Sequence, residues 1–161
     1  MKTKKINSRG FRNNNPLNIR HGISRWVGRA KVQNDPDFVT FTSMSMGYRA
    51  AWKLMDTYRL RLHEQEQTYN INNIIHRWAP PGDGNDTTAY VQGVLTILVN
   101  MGGEEYLRAP ETPLGAPVIA RLLAAMTCIE NGIKYKDVPR DAIIDGFKLA
   151  FPEADIPKVK W

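Results

Sequence analysis

Cysteine is almost absent. Cys128 stands alone in 161 residues, so no disulfide within the chain can exist. It sits inside an apolar run, where a packed thiol is expected rather than a nucleophile. The chain also lacks an apolar stretch of the ~18 residues that a transmembrane helix requires. Its start, Met1 to Gly10, is basic with no apolar segment behind it and does not read as a secretory signal. The chain is therefore expected to be made in the cytoplasm, and any action elsewhere needs another carrier. No phosphate-cradling glycine loop, dinucleotide fingerprint, HExxH zinc helix or GxSxG elbow occurs. His21, His63 and His76 are scattered, and Asp35, Asp37, Asp83 and Asp86 lack the spacing of a calcium loop. No metal or organic cofactor is expected.

Positive charge is what the chain does have. The formal net charge is +6 and the isoelectric point is about 9.5. The excess lies early, in Lys2, Lys4, Lys5, Arg9, Arg12, Arg20, Arg25, Arg29 and Lys31. Such a balance favours a polyanionic partner: nucleic acid, an anionic membrane or an anionic cell wall. Hydrophobic residues make up 42% and charged residues 24%, as in ordinary globular chains. Residues 1–12 read as a flexible basic arm and 13–161 as a single domain.

Turn-forming amides follow the arm, in Asn13-Asn14-Asn15-Pro16 and Asn18. Between Ile19 and Thr42, the runs at Trp26-Val27-Gly28 and Lys31-Val32-Gln33 and the alternation Phe38-Val39-Thr40-Phe41-Thr42 predict a small antiparallel hairpin or sheet. Helical spacing then appears at Tyr48, Ala51, Trp52, Met55, Tyr58 and Leu62, capped by Ser43 or Ser45. A short helix through Ile74, Ile75 and Trp78 stops at Pro80-Pro81-Gly82, and another begins after Asp86 or Thr87 and closes at Gly102-Gly103. A loop with Pro110 and Pro113 follows, and a last helix holds Ile143, Ile144, Phe147 and Leu149. About five helices and one small sheet make an α+β, mainly α, domain.

The densest apolar run is Val118 to Gly132, with Pro117 at its start and Asn131-Gly132 as its stop. Glu130 falls on the face of Ile119, Leu122, Leu123 and Met126. Burial and the negative helix end would both raise its pKa, suiting it to donate a proton to a glycosidic oxygen. Alternatively it reaches into water and pairs with Lys134.

An ordered set of motifs carries a resemblance. Arg9 to Arg20, Trp26-Val27-Gly28, Phe38 to Thr42, Gly47-Tyr48-Arg49-Ala50, Arg77-Trp78-Ala79-Pro80-Pro81, Asn85-Asp86-Thr87 and Tyr90 together resemble a phage and prophage family of virion structural or lysozyme-like proteins. The same succession is similar in outline to bacterial glucosaminidases of the lysozyme superfamily. Those enzymes carry the catalytic glutamate in an Ile-Glu-Ser-Gly pattern ahead of the Asn-rich segment, where this chain has only its arm. Ile129-Glu130-Asn131-Gly132 resembles that pattern near the other end, as a circular permutation would place it.

What the resemblance implies is a monomeric lysozyme-like domain that cleaves peptidoglycan as a glycosidase, hydrolase or lytic transglycosylase. That is an antibacterial, cell-wall-lysing role at the wall, in the periplasm or in a virion, with delivery by a virion or secretion partner. Glu130 would be the general acid, and Tyr90 would steady developing charge. Asn15 and Asn18 would hydrogen-bond the saccharide unless they only shape turns, and Trp26 and Trp78 would stack on sugars unless they belong to the core. Asp86, with Asp83, would be the second carboxylate unless it caps a helix. The alternative is a non-catalytic structural or wall-binding phage protein. Nucleic acid, reached through the basic arm, is the disfavoured partner.

Overall fold

The computed structural model describes residues 5–103 and 114–161. Lys2, Lys4, Pro110 and Pro113 lie outside the described residues. Six α-helices are described: α1 Arg9–Arg12, α2 Met44–Glu64, α3 Ile71–Trp78, α4 Thr87–Asn100, α5 Ala116–Asn131 and α6 Arg140–Ala150. Short 3₁₀ turns at Pro81–Asp83 and Tyr135–Asp137 bridge the gaps between helices.

Local chemistry sets the helix ends. Ser43, Asn70 and Asp86 accept from the backbone N–H groups of Met46, Asn73 and Ala89, capping α2, α3 and α4. α5 opens with a proline in its first turn and ends at Gly132, whose φ of 62° is left-handed. Every residue of α5 from Ile119 to Cys128 is buried, so this helix is the centre of the core. Burial pushes the Cys128 thiol up to about 11, which leaves it an inert packed group. α2 packs along α6, where Gly146 lets the backbones close in: a Cβ there would meet Tyr48 Cβ at 2.7 Å and the Arg49 nitrogen at 2.8 Å. Tyr48 joins α2 to α5 through a 2.8 Å hydrogen bond with Thr127, and the Trp52 indole donates to the Ile143 carbonyl at 2.9 Å.

The expected α+β class with a hairpin or sheet is corrected. Among the described residues, residues 19–42 form only two isolated antiparallel bridges, Arg20 with Phe38 and Arg29 with Phe41. Side-chain amides occupy the groups a ladder would pair. Asn15 bonds Ile19 and Val39 backbone, and Gln33 bonds both the N–H and C=O of Thr40. Gly28, at φ 81°, bends the chain where a strand would run. The lysozyme-like recognition is corrected with it, because helices alone build the regular structure seen here.

At the start of the described chain, the last four residues of the expected arm form α1. Arg9 is held by Asp35 and Asp37 at 2.6 and 2.8 Å, and its guanidinium lies 4.3 Å from the Phe38 ring centroid. The Arg9 hydrogen bond holds the Asp35 carboxyl well below the usual range, and backbone N–H groups of Asp37 and Phe38 assist.

Candidate functional site

Glu130, one residue from the end of α5, is held in place by two tethers on the next residue. The Asn131 side chain accepts from Ser8 Oγ at 2.7 Å and donates to the Pro16 carbonyl at 2.8 Å. The end of α5 is thereby tied to the N-terminal segment. That segment turns tightly, with Asn18 N–H on the Asn15 carbonyl at 3.0 Å and Asn18 itself at φ 52°. Asparagine tolerates this left-handed conformation better than most residues.

From there the Asn18 amide donates to Glu130 Oε1 at 3.3 Å. On the other side, the Tyr90 hydroxyl in the first turn of α4 donates to Glu130 Oε2 at 2.9 Å. The Trp78 indole N–H, at the end of α3, interacts with both Tyr90 and Glu130. These four side chains share a groove of about 360 Å³ that Arg20, Phe38, Tyr58, Asp83 and Asn85 also line.

Not all of the expected site residues converge here. Asn15 is fully buried and spends its amide on backbone groups. Trp26 packs on the core and does not line the groove. Asp86 caps α4 through Ala89 N–H at 2.9 Å. Asn18, Trp78, Tyr90 and Glu130 do come together. Arg20, Phe38, Tyr58 and Asn85 join them, although none of the four is offered by the sequence as a site residue. Tyr58 belongs to the aromatic stripe of α2, and Arg20 to the early run of positive charge.

Burial is the largest influence on Glu130 and raises its carboxyl above the ordinary 4.5, while the donors Tyr90, Asn18 and Trp78 and the charge of Arg20 oppose the rise. Burial, with the Glu130 charge beside it, also raises the Tyr90 hydroxyl far above its ordinary value, so it stays protonated and acts as a donor.

Between 4.5 and its shifted value, Glu130 binds more proton in the folded than in the unfolded chain, so stability falls as pH rises through that window. Glu130→Gln is expected to flatten this slope and to stabilise the protein at pH 7 by about 1 kcal/mol. That corresponds to roughly 3 °C in thermal melts. The Asn18 Oδ1 has no hydrogen-bond partner, so its amide can turn over to accept from the new Gln. A lower midpoint at pH 7 would mean that the hydrogen bonds to the carboxylate outweigh its burial.

The glycan-cleaving enzyme is corrected with the fold, and with it the hydrolase, glycosidase, transglycosylase and antibacterial readings. The expected lysozyme-like domain includes a small sheet or hairpin, and the described residues contain no sheet. Both Glu130 oxygens accept hydrogen bonds, Oε1 from Asn18 and Oε2 from Tyr90. Asp86, the expected second carboxylate, is spent on its cap. No group of three or more His, Cys, Asp and Glu side chains gathers among the described residues. Nor is any helix among them long and apolar enough to cross a membrane.

No protein-family model matches the chain. It is similar to Protein P5 of Pseudoalteromonas phage PM2, with 38% identity over 148 residues that cover 89% of this chain and 82% of that protein.

Proposed function

This chain belongs to the family of Protein P5 of Pseudoalteromonas phage PM2, and from that premise we propose that it is a non-catalytic phage structural protein that binds cell-wall glycan. The observation that carries the reading is the make-up of the groove. Aromatic side chains, Trp78, Phe38 and Tyr58, stand beside the hydrogen-bonding groups of Glu130, Asn18, Asn85 and Arg20. A saccharide has apolar ring faces and hydroxyl edges, and this mixture answers both. The volume, about 360 Å³, suits a short stretch of glycan. Glu130 is here an acceptor for sugar hydroxyls, and Tyr90 fixes its orientation. The net charge of +6 favours approach to an anionic wall.

Co-sedimentation with purified peptidoglycan tests the reading. Wild type is expected to pellet with the sacculi and to release no soluble fragments. Trp78→Ala is expected to weaken binding about tenfold, the loss of one aromatic platform, with thermal melts monitoring the fold. Failure of the wild type to pellet, or undiminished pelleting by a folded Trp78→Ala variant, would overturn the assignment.

A further inference from the structure

We propose that the loop of residues 22–32 docks on an anionic phospholipid bilayer, a surface distinct from the glycan groove. Ile23 is 100% exposed, Val27 54% and Val32 68%. Single exposed aliphatics are ordinary on a protein surface. Here three fall within one short loop, interleaved with Arg25, Arg29 and Lys31, which are exposed as well. None of these three cationic side chains has a hydrogen bond, ion pair or ring contact among the described residues. No Asp or Glu occurs between Ile19 and Asn34. The nearest acids in sequence, Asp35 and Asp37, are both engaged by Arg9, so the cations of the loop remain in excess.

The loop is anchored at its two ends. His21 N–H bonds the Asp37 carbonyl at 3.0 Å, Ala30 N–H bonds the Thr40 carbonyl at 2.8 Å and Thr42 N–H bonds the Gly28 carbonyl at 2.9 Å. Gln33 adds a bond to the Ala30 carbonyl at 2.8 Å, and Trp26 packs against the core. The loop is thus anchored at both ends and at Trp26, and its aliphatic side chains face solvent.

Aliphatic tips among unpaired cations match the two layers of a membrane surface, acyl chains below and anionic headgroups above. A nucleic acid or a wall polymer offers the anions but no apolar layer, and gives Ile23, Val27 and Val32 nothing to contact. Base stacking would need an exposed aromatic ring, whereas the loop's aromatic residue, Trp26, is turned to the core.

Vesicle flotation decides the matter. The whole protein is expected to float with phosphatidylcholine vesicles containing phosphatidylglycerol, far less with phosphatidylcholine alone, and less as salt rises. Combined replacement of Arg25, Arg29 and Lys31 by Gln is expected to weaken binding roughly fivefold per cation, on the order of a hundredfold in all. Combined replacement of Ile23, Val27 and Val32 by Ser is expected to weaken it as well, at unchanged charge. All six side chains are exposed, so melting midpoints should hold. Trp78→Ala should float as wild type does, which separates this surface from the glycan groove. No flotation of wild type, equal flotation with neutral vesicles, or a serine variant that floats normally would each overturn the proposal. Binding to duplex DNA that only the Gln variant loses, together with a normal serine variant, would identify a nucleic acid as the occupant instead.

Discussion

Substituting Gly47 by alanine is expected to cost about 3 kcal/mol of folding stability, the upper end for overpacking, and to lower the melting midpoint by roughly 10 °C. Gly47 lies in the first turn of α2, pressed against the turn at Asn14–Pro16. A Cβ there would overlap the carbonyl oxygen of Asn14 and lie 2.7 Å from Pro16 Cδ. Neither neighbour can yield by rotating a side chain. Asn14 sits at φ 50° and donates to the Phe41 carbonyl at 3.1 Å, and the Pro16 carbonyl accepts from Asn131 at 2.8 Å. Gly82→Ala is the control, since nothing lies within 4 Å of the atom it adds, and it is expected to be neutral or slightly stabilising. Calorimetry of both variants checks the difference. An unchanged midpoint for Gly47→Ala would show that the turn can move away, and that α2 does not fix the segment carrying Asn18 into the groove.

Helix boundaries were legible in the sequence because they are set by residues next to each other. Ser43, Asp86 and Gly132 each act on backbone within a few residues, so the pattern holds its meaning without tertiary context. The segment from Ile19 to Thr42 was not legible in this way. Its alternation at Phe38 to Thr42 predicts one buried and one exposed face, yet Val39, Thr40 and Phe41 are all buried in succession. Thr40 can be buried because its hydroxyl donates to Asn13 and its backbone is paired by Gln33. Those partners are distant in sequence, and a run of asparagines does not announce which backbone groups it will satisfy. The motifs behind the lysozyme resemblance belong largely to this kind. They encode turns and close contacts, Gly47 among them, and these do not require a sheet.

Glu130 shows the division at one residue. Its place on the apolar face of α5 was readable from spacing alone, and the structure finds it with burial dominating its titration. Its neighbours were readable only in part. The sequence offers Tyr90 and Asn18 for the site, whereas Arg20 and Phe38, from the same set of motifs, and Tyr58, from α2, reach the groove only through the packing of the whole chain. Spacing can nominate a buried carboxylate; whether it faces another carboxylate, a proton donor or a ligand is decided by those long-range contacts.

Asn15→Ala is expected to be more damaging still, at about 4 kcal/mol. The Asn15 side chain is 0% exposed. It donates to the carbonyls of Ile19 and Val39 at 2.9 and 2.8 Å and accepts from Ile19 N–H at 2.9 Å. The Ile19 carbonyl keeps a second partner in Val39 N–H, so the substitution orphans the other two groups. Each buried, unpaired backbone group costs roughly 1–3 kcal/mol, and the two together account for the estimate. Urea denaturation should show a lower midpoint with an unchanged slope, because the surface exposed on unfolding is nearly the same. The sequence offers Asn15 as a saccharide ligand, and the same variant separates that role from the structural one. Asn15 does not line the groove, so the folded fraction of Asn15→Ala should pellet with peptidoglycan as wild type does. Weakened binding with stability intact would return Asn15 to the ligand. Lost stability with binding retained would place it where its hydrogen bonds do, as the side chain that stands in for a strand ladder between Ile19 and Val39.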